Sequence, residues 1–324
     1  MPVNKHPLAD YVRILARGKN ASRNMTAEEA EFTMSHFLSG DYAPEQLGAV
    51  LMLLRVLEET PDEIAGFARA INPCWPEGAQ NFDLVWSSYA GKRRQPMWWM
   101  LSALLLTQMG YRILVHGTLA HTEGRVYSHE VFNALGLPAV TRESLAATTD
   151  ALVYLPCAEI HSSLQQWLGL KAILGVRSPV NTILKTIAPE GVPAVQGIFH
   201  PNYKNIHLGA AELNQDDAMV IKGEGGEFEV NPERRCVASF RFHDASGDIE
   251  ILNEASHYAE KPETPDPQLL KQFWQGDYSS DYGQAAVLNT AALALCTIRR
   301  SSDLDSALSD CRAAWDRRDI SLLS

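Results

Sequence analysis

The turn Ser87-Ser-Tyr-Ala-Gly91-Lys-Arg-Arg94 lies between a strand-like run, Phe82–Trp86, and the apolar run Met97–Met109. In a βαβ unit this is where backbone N–H groups and a helix N-terminus hold a phosphate. Cradles of that kind use several glycines, so that the backbone can approach the anion closely. Here Gly91 stands alone, and three consecutive cations, Lys92, Arg93 and Arg94, follow it. Such a turn would attract phosphate through side-chain charge instead of a close backbone cradle. A solvated surface turn is the competing account of three adjacent cations.

Around this turn sit further candidates. Tyr89 is placed to stack a nucleobase, an interaction worth about 1–3 kcal/mol that tolerates any base. Trp98 and Trp99 open an apolar helix and are expected in the core. Arg13, Arg17, Lys19 and Arg23 fall between Tyr11 and Ala27 with no acidic residue among them. They read either as a charged helix face or as part of a basic surface. His116 is expected to be held by hydrogen bonds at a strand end. Glu224, Glu227 and Glu229 surround Gly223, Gly225 and Gly226, which reads as a glycine-rich turn with solvated acids, the alternative being one metal contact. His121 and His129 lack a helical ligand spacing with a carboxylate, and no Ser-His-Asp or Cys-His arrangement stands out. No catalytic residue and no metal ligand is therefore assigned.

The elements that must position these residues are well punctuated. Thr26 with Glu29 forms a capping-box pattern and Gly40 ends the helix it starts. Pro44 suits a first helical position ahead of Leu47, Val50, Leu51, Leu54 and Leu57. Thr60-Pro61-Asp62-Glu63 repeats the capping pattern before Ile64, Phe67 and Ile71. Beyond Pro76 the pattern alternates. Strands are expected at Phe82–Trp86, Tyr111–Val115, Ala151–Leu155, Ala194–Phe199, Ala218–Lys222, Cys236–Phe242 and Ile249–Leu252. Helices are expected at Met97–Met109, Ser128–Leu135, Leu164–Leu174, Val180–Ile187, Tyr203–Leu213, Pro267–Trp274, Gly283–Arg299 and Asp303–Arg317. Alternation of this kind implies an α/β fold with a mainly parallel sheet.

Composition narrows the class. With 324 residues, 46% of them hydrophobic, the chain can bury a large core. Five scattered cysteines without a C-x-x-C pair argue for reduced thiols and a cytoplasmic protein. No secretory signal is visible, and the Met97–Met109 run is too short to span a bilayer, so no membrane role is expected. The net charge of −11 opposes nucleic-acid binding as a global property, but binding depends on local potential. Val85 to Val126 carries Lys92, Arg93, Arg94, Arg112 and Arg125 against Glu123 alone.

Leu15-Ala-Arg-Gly18, Thr26-Ala-Glu-Glu-Ala30, Leu38-Ser-Gly40, Leu54-Arg55 and Glu59-Thr-Pro-Asp-Glu-Ile-Ala-Gly66 together resemble the N-terminal helical domain of anthranilate phosphoribosyltransferases. His116-Gly117, Ala134-Leu-Gly136, Leu174-Gly-Val-Arg177 with Asn181, Pro189 and Asn289–Leu295 resemble that family's later signatures in order and spacing. The resemblance implies the nucleoside phosphorylase/phosphoribosyltransferase fold. It has a small helical domain over residues 1–73, with an excursion near 165–187, and a larger α/β domain over 74–164 and 188–324. It also implies a homodimer formed through the helical domain, with Leu8, Val12 and Leu15 near the interface.

The family's catalytic signatures are altered. Its GTGGD turn, which cradles the diphosphate of phosphoribosyl pyrophosphate (PRPP), is Ser87-Ser-Tyr-Ala-Gly91. Its lysine before His-Gly is Val115, and the asparagine and arginine after it are Thr118 and Leu119. Its magnesium-holding Asp-Glu pair is Phe228-Glu229, and its GPLxNP loop is broken as Leu184–Pro189. These departures resemble a paralogous branch that keeps the fold but binds nucleic acid in a basic groove. The resemblance thus implies a non-catalytic protein binding DNA or RNA, preferentially single-stranded, without a cofactor. Its candidate phosphate contacts are Arg17, Lys19, Lys92, Arg93, Arg94, Lys171 and Arg177, with Tyr89 stacking. Ser87, Ser88, Gly91, His116, Gly117 and Asn181 are expected to line the cleft. The alternative is an active phosphoribosyl- or pentosyltransferase with a divergent loop, for which Mg²⁺ would be needed.

Overall fold

The computed structural model describes residues 5–18, 20–119, 122–243, 245–252, 258 and 261–323. It opens with the helices α1 (Leu8–Ala16), α2 (Ala27–Ser39), α3 (Pro44–Leu57) and α4 (Pro61–Ile71). The capping boxes form as their spacing requires. Thr26 accepts the Glu29 N–H while Glu29 accepts the Thr26 N–H, and Gly40 closes α2 at φ 78°. Thr60 and Glu63 do the same for α4. Glu63 is fully buried because its carboxylate also accepts the Met25 N–H at 2.9 Å and the Asn24 amide at 3.1 Å. One acid thereby ties the lead-in of α2 to the start of α4.

The two helices touch at Gly66, where an added Cβ would lie 2.1 Å from the Ala27 carbonyl oxygen. Backbone on both sides leaves nothing soft to give way. Gly66→Ala is therefore expected to destabilise the protein by about 1–3 kcal/mol, the usual cost of overpacking. Urea denaturation would show it as a lowered midpoint, and an unchanged midpoint would refute the close approach. Leu8 and Leu15, expected near a dimer surface, instead fill this helical layer and are 0% and 1% exposed.

The rest of the chain builds a seven-stranded sheet with the order β3-β2-β1-β4-β5-β6-β7. The strands are β1 (Leu84–Ser88), β2 (Ile113–Gly117), β3 (Leu152–Pro156), β4 (Ala194–Ile198), β5 (Ala218–Lys222), β6 (Cys236–Phe242) and β7 (Ala245–Ile251). The first five run parallel, while β6 and β7 add an antiparallel edge. The connecting helices are α5 (Trp98–Gln108), α6 (Ser128–Ala134), α7 (Cys157–Ile160), α8 (Ser162–Gly169), α9 (Lys171–Leu174), α10 (Val180–Thr186) and α11 (Tyr203–Asn214). Helices α12 (Pro267–Gln275), α13 (Asp281–Arg299) and α14 (Leu304–Asp316) follow the sheet.

Both faces of the sheet are covered, so its central strands read as continuous apolar runs. Their side chains still alternate. Leu84, Trp86, Ile113 and Val115 join a core with α5 and α13. Val85, Leu114 and Val153 face a second core, shared with the N-terminal helices and with Trp167 and Ile183 of α8 and α10. Trp98 and Trp99 are fully buried, as their place at the head of an all-round apolar helix implies. Among the described residues no helix is long and apolar enough to cross a membrane.

Strand order reverses between β1 and β4. In open parallel sheets the crevice beyond the carboxyl ends of two such strands is the usual ligand position. The turns after β1 and β4 both open onto it.

Candidate functional site

The turn after β1 is held from inside the protein. The Ala90 and Gly91 N–H groups both donate to Glu227 Oε1, at 2.7 and 2.8 Å. Their carbonyls accept from Arg125 Nη1 at 2.8 and 2.9 Å. Gly91 has φ +66°, and a Cβ there would meet the Val126 carbonyl oxygen at 3.1 Å and the Tyr127 ring at 3.2 Å. Lys92 exchanges both backbone hydrogen bonds with Val126, at 2.8 Å each, which turns its side chain inward.

That orientation corrects the expectation for Lys92. Its side chain is 1% exposed and its ammonium lies 2.5 Å from Glu229 Oε1. The second Glu229 oxygen accepts the Trp99 N–H at 3.1 Å, at the start of α5. A carboxylate is favoured at a helix N-terminus, and a buried one needs a cation. Burial pushes the Glu229 carboxyl above its ordinary range, opposed by Lys92 and by the Trp99 N–H. Lys92 is thus an internal counter-ion and is unavailable to phosphate. Glu227 and Glu229, expected as solvated acids, are 1% and 0% exposed because they hold this turn from below.

Tyr89 is corrected likewise. It is 0% exposed, and its hydroxyl shares a 2.8 Å hydrogen bond with His116 Nδ1. Tyr89 borders the cavity of Arg177 and Lys185, but with no exposed surface its ring offers no face for a base to stack on. Burial raises the Tyr89 phenol well above its ordinary value and lowers His116 to about 3, so both are neutral at physiological pH. Ser87, Ser88, Gly91, His116 and Gly117 are buried. Ser87 donates to the Val195 carbonyl at 3.2 Å, and a Cβ on Gly117 would lie 2.4 Å from the Ser88 carbonyl oxygen. These residues lock the strand ends together.

Other candidates do converge. Arg93 and Arg94 are exposed, since they follow the inward Lys92, and they line an open cleft with Lys171, Thr122 and Glu123. Lys171 donates to Thr122 Oγ1 at 3.2 Å. Arg177 and Asn181 line a neighbouring cavity of about 170 Å³ with Arg55, Lys185 and Glu59. Lys185 donates to the Gly197 and Gly226 carbonyls at 2.5 and 2.8 Å. Burial lowers its pKa to about 8; Glu227 opposes that shift, while Arg177 and Arg125 reinforce it. The Arg125 guanidinium is lowered by burial and by the fields of Arg177 and Arg93. The fields of Arg93 and Arg177 thus reach Arg125, and those of Arg177 and Arg125 reach Lys185.

Arg17 does not take part. It is exposed at the end of α1, and its field acts on Asp10. Arg13 pairs with Asp10 at 2.9 Å and Arg23 with Glu29 at 2.6 Å, so the cations of this stretch find acids outside it. Lys19 lies outside the described residues. The sequence pattern overlooked Arg55 and Lys185 as site residues. Lys185 sits inside the interrupted loop Leu184–Pro189, which was the available signal. Among the described residues no group of three or more His, Cys, Asp or Glu is placed to hold a metal ion.

Residues 9–72 match the helical bundle domain of a glycosyl transferase family. The chain is 28% identical over 284 residues to the uncharacterized protein YbiB of Escherichia coli, covering 82% of this chain and 86% of that one. It is 26% identical over 256 residues to the anthranilate phosphoribosyltransferase of Methanosarcina acetivorans, covering 72% of this chain and 64% of that enzyme. The crystal structure of anthranilate phosphoribosyltransferase from Thermus thermophilus superposes with a TM-score of 0.76 at 20% identity, covering 97% of this chain and 99% of that one. That likeness extends to the whole fold.

Proposed function

This chain belongs to glycosyl transferase family 3 as an anthranilate phosphoribosyltransferase-like protein, and from that premise we propose that its crevice binds the phosphates of single-stranded nucleic acid and transfers no phosphoribosyl group. The observation that carries this is the occupancy of the turn after β1. The N–H groups that would meet a diphosphate already bind the Glu227 carboxylate, at 2.7 and 2.8 Å.

The magnesium position supports the same view. A Mg²⁺ ion on PRPP needs carboxylates that are open toward the substrate phosphates. Where the family carries its acidic pair, this chain has Phe228, which is fully buried, and Glu229, whose oxygens are engaged by Lys92 and the Trp99 N–H. These residues do not fit the ion. What the crevice retains is positive charge, from Arg93, Arg94 and Lys171 in one cavity and Arg55, Arg177 and Lys185 in the other, against the exposed Glu123 and the buried Glu59. Side-chain cations spread over two adjoining cavities suit a chain of phosphates better than one compact diphosphate.

Fluorescence anisotropy with a labelled single-stranded oligonucleotide over a salt series tests the proposal. Binding is expected at low salt, with log K falling as log salt rises. Each phosphate contact removed should flatten that slope by about 0.7. Arg93→Ala with Arg94→Ala is therefore expected to flatten it by about 1.4. Absence of binding at low salt, or an unaltered slope in the double variant, would reject the proposal. Calorimetry with PRPP and Mg²⁺ provides the opposing arm, since tight magnesium-dependent binding would restore the transferase reading.

A further inference from the structure

The expected stacking residue, Tyr89, is buried, yet the crevice still presents an aromatic ring to solvent. Phe199 follows β4 directly at the topological switch point and is 58% exposed. It lies over the turn Gly225-Gly226, where a Cβ on Gly226 would sit 3.5 and 3.6 Å from Phe199 Cβ and Cδ2. The glycine backbone seats one side of the ring. His200, also exposed, meets it edge-on at 4.9 Å and 76°. Isolated exposed apolar residues are ordinary on protein surfaces. This one is distinguished by what lies on either side of it.

Toward β1, Phe199 and His200 line the cavity of Arg177 and Lys185. On the other side, past Ile198, a cavity of about 310 Å³ opens between the ends of β4, β5 and β6. Its wall carries Lys204, Lys222, Arg234 and Arg235, with Glu224 as its acid. Arg235 pairs with Glu250, Lys204 lies 3.6 Å from Asp248, and Glu224 accepts from the Asn231 amide at 2.8 Å. Among the described residues Lys222 and Arg234 carry no ion pair. The ring thus stands on a ridge between two cationic basins at the same end of the sheet.

We propose that Phe199, flanked by His200, is a stacking shelf for a nucleobase, and that the strand's phosphates continue past it onto Lys222 and Arg234. The proposal rests on the nucleic-acid reading of the crevice and deepens it. It names the base-recognition element and doubles the phosphate track. Duplex DNA keeps its bases stacked on one another, so a shelf of this kind selects single strands. A flat aromatic without polar atoms carries no base-edge code, so selection among sequences stays weak.

Anisotropy on the full chain, with a labelled oligo-dT and an abasic deoxyribose-phosphate oligomer of equal length, separates the terms. Phe199→Ala is expected to weaken oligo-dT binding roughly 5- to 150-fold. Its salt slope should stay unchanged, and the abasic oligomer should bind wild type and variant alike. Phe199→Trp should retain oligo-dT binding. Lys222→Ala with Arg234→Ala should instead flatten the slope by about 1.4 on both ligands. Equal oligo-dT affinity for Phe199→Ala and wild type overturns the shelf, as does an equal loss on the abasic oligomer. A Lys222/Arg234 variant with the wild-type slope overturns the extended track. Wild-type protein that binds neither ligand at low salt removes the nucleic-acid reading and the shelf with it. A wild type that binds while Phe199 proves indifferent removes the shelf alone.

Discussion

Replacing Lys92 by methionine is expected to cost about 3–5 kcal/mol of stability at neutral pH, the usual penalty for leaving a buried charge without its partner. Lys92 and Glu229 are 1% and 0% exposed, so no solvent can compensate the orphaned carboxylate. The loss should depend on pH with a definite sign. Glu229 already lies above the ordinary carboxyl range through burial, held down by Lys92. Without the lysine its folded pKa rises further, whereas its unfolded value stays ordinary. Between those two values the native state binds more protons than the unfolded state, so stability falls as pH rises through that window. Lys92→Met should accordingly be least destabilised at mildly acidic pH and most destabilised above the raised pKa. Glu229→Gln in the same chain should recover most of the loss, because the amide oxygen still accepts the Trp99 N–H and no charge remains. Urea denaturation at about pH 5.5 and about pH 8 measures both effects. A penalty below about 1 kcal/mol, or one that ignores pH, would show that Lys92 is not the counter-ion. A surface lysine in a phosphate-binding turn would predict no stability change at all.

The contrast between these outcomes shows which parts of the molecule were legible in the sequence. Helix limits set by Thr26-Glu29, Thr60-Glu63 and Gly40 depend on neighbours within a few residues, so their spacing is visible in the chain. The strands Ala218–Lys222 and Cys236–Phe242 appear with the expected limits because their apolar runs are bounded by turn residues. The antiparallel edge strand β7 begins four residues earlier than expected, at Ala245 instead of Ile249. Its first residues, Ala-Ser-Gly-Asp, face solvent and carry no apolar signal. In the site, Lys92 and Arg93 look alike as sequence, yet one is buried and the other exposed. Their difference arises from a backbone pairing with Val126 and from a carboxylate 137 positions away. Tyr89 was misplaced for a related reason. A strand-end aromatic beside cations suggests stacking, but its hydroxyl finds His116 on the adjacent strand. Family likeness could locate the pocket, whereas only tertiary contacts reveal what already occupies it.

Glu227 is the sharpest case of such occupancy, and its removal carries the second large effect. Glu227→Ala orphans the Ala90 and Gly91 N–H groups, each now satisfied at 2.7–2.8 Å. A buried donor left without a partner costs about 1–3 kcal/mol, so a combined loss of about 2–6 kcal/mol is expected. The vacancy would face Arg125 and Lys185, whose carbonyl partners fix them beside the turn. Two N–H donors and two cations form an anion site, so pyrophosphate should restore part of the lost stability. Binding to the native state alone adds about 2.7 kcal/mol at a ligand concentration about 100 times Kd. Glu227→Gln is the informative control. Its side-chain oxygen can still accept both N–H groups, so it should remain near wild-type stability and show no rescue. Any gain of wild-type protein from pyrophosphate, through the surface cations of the crevice, should be smaller than that of the Glu227→Ala variant. A Glu227→Ala variant as stable as wild type would mean that solvent satisfies the turn. A destabilised variant that pyrophosphate cannot rescue would mean that the carboxylate is structural and does not occupy an anion's position. If the rescue is seen, one side chain separates this crevice from a diphosphate-binding one. The outward cations Arg93 and Arg94 then act on ligands that cross the surface instead of entering the turn.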